Sequence, residues 1–176
     1  MQGRDKTNDN YPASPYPRCL TPDFLNRCHP RQAEFYHYWD SKRRGRRMPS
    51  GIDIDPADLT LFLQELIIVD VRYNPLRLTY RLVGTREIQH RGFDPTGQDV
   101  STHFVGRSRD DVLLNYRLTV ELRSFVYDED PVFSADGRSC EVGTLLLPLS
   151  DDDTTVNMIL IHSTFRDGVV DLRRQA

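Results

Sequence analysis

Hydrophobic positions first recur with helical spacing from Pro30, where Ala33, Phe35, Tyr36 and Trp39 form one aromatic stripe. The stripe predicts a helix that ends near Gly45, a residue suited to the left-handed cap conformation. Asp55-Pro56 gives a second start, with a carboxylate able to cap and proline at the first helical position, and Leu59, Phe62 and Leu63 follow at helical spacing. A further one- or two-turn helix is expected at Thr21-Pro22-Asp23, before His29-Pro30 interrupts it.

The period then shortens. Residues 66–73 are rich in β-branched side chains and end at the turn signal Asn74-Pro75. Leu78, Tyr80 and Leu82 next alternate with Arg77, Thr79 and Arg81, so the two stretches predict a hairpin. The segment from Gly84 to Phe104 is too irregular for strand pairing and predicts short helical turns. Ser108-Arg109-Asp110-Asp111 matches a capping box, and Val112, Leu113, Tyr116 and Val120 share one face, which predicts a helix of about four turns lying across the sheet. Three strands follow over residues 124–133, 138–149 and 154–165, with turn signals at Asp136-Gly137 and Asp151-Asp152-Asp153. In the last of them Val156, Met158 and Leu160 point one way and Ile159, Ile161 and Phe165 the other, as in a central strand buried on both faces. One face can take the long helix, and the aromatic helix can cover the other, within the chain or across a dimer.

Composition adjusts this picture at its ends. The 38% apolar content is low, and Pro12, Pro15 and Pro17 among small polar residues mark a segment unable to bury enough surface to offset ordering entropy. The expected organisation is a flexible tail over 1–20, a helical extension over 21–64, one α+β core over 65–166 and a short C-terminal tail over 167–176. A net charge of −3 and a pI near 5.9 give no global attraction to nucleic acid or acidic membranes. No apolar run reaches the roughly 18 residues of a membrane helix, so a cytosolic protein is expected. Cys19, Cys28 and Cys140 are odd in number and widely spaced, which argues against a disulfide framework or a thiolate zinc site.

The order of elements resembles the PAS fold, whose five antiparallel strands run in the order 2-1-5-4-3. Residues from about 31 to 166 are similar to a bacterial PAS-like family of small, often single-domain proteins. The resemblance rests on Trp39 in the first helix, Pro49 and Asp53-Ile54-Asp55-Pro56 before the second, and Tyr80-Arg81-Leu82-Val83-Gly84-Thr85 at the end of the second strand. Gly92-Phe93-Asp94-Pro95-Thr96-Gly97 in the crossover and Leu147-Pro148-Leu149 in the fourth strand complete it. Gly84 and Gly97 need no role beyond positive φ or close approach of the backbone.

The resemblance implies a sensory or regulatory module, with a small-molecule cavity between sheet and crossover helices and a contact surface for a signalling protein or a second copy. Alternating strand positions and the long helix nominate Tyr80, Leu82, Tyr116, Tyr127, Leu145, Met158 and Leu160 as its lining, and the aromatic helix nominates Phe35, Tyr36 and Trp39 as an interface. No cofactor is expected: the Asn-Cys-Arg flavin motif of light-oxygen-voltage domains is missing, and residues 106–122 hold no histidine for haem. His90, His103 and His162 with Asp94, Asp99 and Ser163 make a triad only on paper, so no catalytic residue is assigned. Asp128-Glu129-Asp130 and Asp151-Asp152-Asp153 lack calcium-loop spacing and read as solvated strand ends, so no metal is assigned either. The basic run Lys42-Arg43-Arg44-Gly45-Arg46-Arg47 reads as a helix end favoured by the helix dipole. With about ten residues after Phe165, output is expected to act through another protein, and the alternative reading is a ligand-free adaptor.

Overall fold

Both hydrophobic periods become elements in the computed structural model, which describes residues 18–106, 108–133, 135–136 and 138–166. The strands are β1 (Leu66–Arg72), β2 (Arg77–Val83), β3 (Val126–Phe133), β4 (Ser139–Leu149) and β5 (Met158–Arg166). They form one antiparallel sheet of order β2-β1-β5-β4-β3, the arrangement expected. The central β5 starts at Met158, later than the expected position 154. The Asp152 carboxylate accepts the N–H groups of Thr154 and Thr155 at 2.8 and 2.6 Å and so holds both residues in the turn. Gly137 of the expected hairpin turn and the expected C-terminal tail lie outside the described residues.

Both faces of β5 are buried: Ile159 and Ile161 on one side, Leu160 and His162 on the other. The second face is covered by α1 (Pro30–Arg43) from the same chain. Phe35, Tyr36 and Trp39 are 0%, 7% and 1% exposed. They are core residues here rather than the expected interface, because the hydrophobic face of α1 is used up on its own sheet. Polar anchors fix the helix as well. Gln32 donates from Nε2 to the carbonyls of Gly143 (2.7 Å) and His162 (3.1 Å), and its Oε1 accepts from Thr164 (3.2 Å). The helix ends on two left-handed residues, Arg44 and Gly45.

The chain is already ordered at Arg18, inside the expected flexible tail. Cys19 exchanges two backbone hydrogen bonds with Tyr127 (2.8 and 3.0 Å), and the 3-10 turn Pro22–Asn26 then buries Phe24 against the Tyr127 ring at 4.9 Å. Aromatic burial fixes this strap. Residues 1–17 lie outside the described residues.

The other sheet face carries the crossover. After the short α2 (Pro56–Leu59), β1 and β2, the segment expected to hold short helical turns forms α3 (Thr85–Arg91), ending on left-handed Gly92. Gly84 sets the entry to α3: a Cβ there would lie 2.3 Å from the carbonyl oxygens of Leu63 and Gln64. The long α4 (Arg109–Leu122) is capped as expected, with Ser108 Oγ accepting from Asp111 N at 3.1 Å. Among the described residues no helix is long and apolar enough to cross a membrane.

Candidate functional site

Between α3, α4 and the inner sheet face lies a cavity of about 80 Å³. Ile67 on β1, Tyr80 on β2, Val142 and Leu146 on β4, and Ile161 and Phe165 on β5 form its apolar wall, with Val112 and Tyr116 of α4 opposite. Pleating decides which residues take part. On β5 the odd-numbered positions face the cavity, so Met158 and Leu160 fall on the α1 side, as do Leu145 of β4 and Tyr127 of β3. Leu82 is turned away by an irregularity in the β1–β2 ladder: Ile68 pairs with Leu82 but Val69 pairs with Tyr80, leaving Arg81 as an extra residue. Of the seven side chains nominated from the sequence, the structure brings Tyr80 and Tyr116 to the cavity and distributes Leu82, Tyr127, Leu145, Met158 and Leu160 over the opposite face.

The rest of the wall is polar, which the sequence reading missed. At one end Glu87 and Arg91 share a face of α3 at the i,i+4 spacing and pair at 3.4 Å while both are buried. Arg91 Nη1 also donates to the Tyr80 hydroxyl (3.3 Å) and the His103 carbonyl (3.1 Å), and its guanidinium lies over the Tyr80 ring. Glu87 Oε1 accepts no hydrogen bond although the residue is only 3% exposed. Burial raises the Glu87 pKa against the opposing pull of Arg91.

At the other end stand Asp111 of α4 and Asp128 and Asp130 of β3, with carboxylate oxygens all within 4.8 Å of one another. The acids on β3 alternate in sequence and therefore face the same side; Asp128 is 5% exposed, not a solvated strand end. Asn115 donates from Nδ2 to Asp128 at 2.8 Å and turns its oxygen toward Arg18, whose Nε donates to it in a close contact. Arg18 Nη2 donates to the Asp111 carboxylate (2.7 Å) and backbone carbonyl (2.9 Å), and its Nε lies 3.7 Å from Asp128. Burial, then the charges of Asp128 and Asp111, push Asp130 up to about 7.

The remaining residues singled out in the sequence are dispersed. His162 faces Phe35 and Phe62 beneath α1, while the adjacent Ser163 faces the cavity. Asp94 and Asp99 accept from the N–H groups of Thr96 and Ser101 in turns, and His103 Nδ1 meets Thr102 Oγ1 at 2.8 Å. His90 packs at a tilt against Phe165, its Nδ1 at 4.0 Å from the Cys140 thiol. The paper triad is not assembled. In the basic run, Lys42 pairs with Asp58, Arg43 with Asp40, and Arg44 and Arg46 with Asp53. Asp153 is likewise engaged, accepting from the backbone of Arg47 and Met48.

A family model described as PAS domain matches residues 27–161. The chain belongs to the PAS domain family. Its strand order and crossover helices are those implied by the resemblance. Two solved structures similar to this PAS domain are light-oxygen-voltage domains. One, from work on a flavin analogue and the light-oxygen-voltage mechanism, is 13% identical, with 62% of this chain and 82% of that one covered at a TM-score of 0.48. The other, an RsLOV variant, is also 13% identical, with 68% and 73% covered at a TM-score of 0.48. No curated protein matches the chain.

Proposed function

We propose that this PAS domain is a cytoplasmic sensory or regulatory module: a small molecule enters the cavity under α3 and α4, and occupancy is relayed to a signalling protein or a second copy of the chain, without chemical turnover. The observation that carries this reading is the cavity wall itself. Buried polar groups converge on this space, among them a Glu87 oxygen with no hydrogen-bond partner, and buried polar atoms are ordinarily satisfied. Apolar and polar groups are mixed there as in sites that orient a ligand.

A second reading, a ligand-free adaptor that works by protein contact alone, is favoured by size, since about 80 Å³ is well below the roughly 300–1,000 Å³ of drug-sized pockets. Native mass spectrometry of the full chain, purified without denaturation, separates the two. A stoichiometric adduct lost on Tyr80→Ala or Tyr116→Ala supports the sensory reading. A bare mass, with partner binding intact in variants that fill the cavity, supports the adaptor.

A further inference from the structure

Four carboxyl groups line the cavity, those of Glu87, Asp111, Asp128 and Asp130, against the guanidiniums of Arg91 and Arg18. Asp111, Asp128 and Asp130 converge within 4.8 Å at one end. Among the described residues the cation bonded to that group is Arg18, which engages Asp111 directly and Asp128 at 3.7 Å, so three carboxylates face one guanidinium. An independent observation points the same way: Glu87, 3% exposed and lining the same cavity, has an oxygen that accepts no hydrogen bond, and its partner Arg91 is shared with Tyr80 and a backbone carbonyl. The acids outnumber the guanidiniums that meet them, an excess that favours an occupant with positive charge and N–H donors. A water needs roughly 10–15 Å³, so about 80 Å³ admits roughly half a dozen non-hydrogen atoms. Val112, Ile161 and Phe165 offer that occupant an apolar wall.

Resting on the reading that the cavity takes a small molecule, we propose that its ligand is a small primary amine whose ammonium group sits among Asp111, Asp128 and Asp130 and competes with Arg18 for their oxygens. An ammonium has three donors and no acceptor, which matches the three acids that converge at this end. A divalent ion would use the acids but leave the apolar wall unserved, and would place two charges beside the guanidinium. Competition has a mechanical consequence. Arg18 stands one residue before Cys19, whose two hydrogen bonds to Tyr127 hold the N-terminal strap on the edge of β3. Oxygens drawn toward an ammonium in the cavity hold Arg18 less well, and linkage requires the converse: loosening Arg18 strengthens amine binding.

The test is calorimetric titration of the full chain with butylamine, putrescine, butanol and manganese(II), together with amide exchange at Cys19. The amines bind and butanol does not; Asp128→Asn and Asp130→Asn each weaken amine binding by about tenfold or more. Arg18→Gln tightens it by about fivefold, and amine speeds exchange at Cys19. If Asp128→Asn fails to fold, Asp130→Asn and Arg18→Gln decide. Butanol binding as tightly as butylamine overturns the amine assignment while leaving the cavity as a ligand site. Manganese(II) binding without amine binding overturns it too, as do amine affinities indifferent to the carboxylates. Absence of binding by every probe also overturns it, and the adduct measurement above then judges the broader reading separately.

Discussion

Trp39 donates its indole N–H to the carbonyl of Pro148 at 2.8 Å, joining α1 to β4 through a fully buried bond. Pro148 cannot turn that carbonyl to water while α1 is docked. Trp39→Phe keeps most of the apolar area but leaves the acceptor unpaired, so a loss of about 1–3 kcal/mol is expected in urea denaturation. The oligomeric mass stays the same, because the stripe closes the chain's own core. A changed mass with unchanged stability would return α1 to the role of an interface.

Gly84 meets the backbone carbonyls of Leu63 and Gln64 where any other residue would place its Cβ. Neither oxygen sits on a flexible side chain, so the obstacle cannot swing aside. Gly84→Ala is expected to cost about 2 kcal/mol or more. Gly97→Ala acts differently: its site is open, but φ is +84° and the penalty is backbone strain of about 1 kcal/mol. Thermal melts of the two variants side by side check the order.

Periodicity made the sheet legible, because two-sided burial of β5 and the capped α4 leave one simple arrangement. It identified the cavity less well. A strand pattern shows which residues share a face but not which face is roofed by α3 and α4, and Met158, Leu160 and Leu145 were assigned to the wrong parity for that reason. The bulge that turns Leu82 away has no marker in Tyr80-Arg81-Leu82. Two signals were available for the polar wall: the i,i+4 spacing of Glu87 and Arg91, and the alternation of Asp128 with Asp130. The first was hidden by glycines that blur where the short helical turns begin and end, the second by the usual solvation of acids near strand ends.

His162 is fully buried between Phe35 and Phe62, and neither ring nitrogen has a hydrogen-bond partner. Burial lowers its pKa from 6.5 to about 4. The unfolded state therefore binds the proton first, and stability falls as pH drops from about 6.5 through 4, by roughly 3 kcal/mol in full. His162→Leu removes two unsatisfied nitrogens and should flatten that limb without loss of stability at pH 7. Denaturation curves for both proteins from pH 7 down to 4 test it.

Asp130 works in the opposite direction. The groups facing it are Asp128 on its own strand, Asp111 from α4 and Arg18 from the N-terminal strap; burial and the two like charges prevail over the arginine and hold it at about 7. An ordinary unfolded aspartate titrates near 3.9, so between roughly 4 and 7 the folded chain holds a proton that the unfolded chain has released. Stability attributable to Asp130 thus declines as pH rises through that window, whereas the contribution of His162 grows. Asp130→Asn should remove the decline and leave the rise, and Arg18→Gln should carry the decline to higher pH by removing an attractive charge that lowers the Asp130 pKa. Stability measured against pH for the two variants distinguishes them: parallel profiles would mean that Arg18 and Asp130 do not interact, and would detach the strap from the acidic end of the cavity.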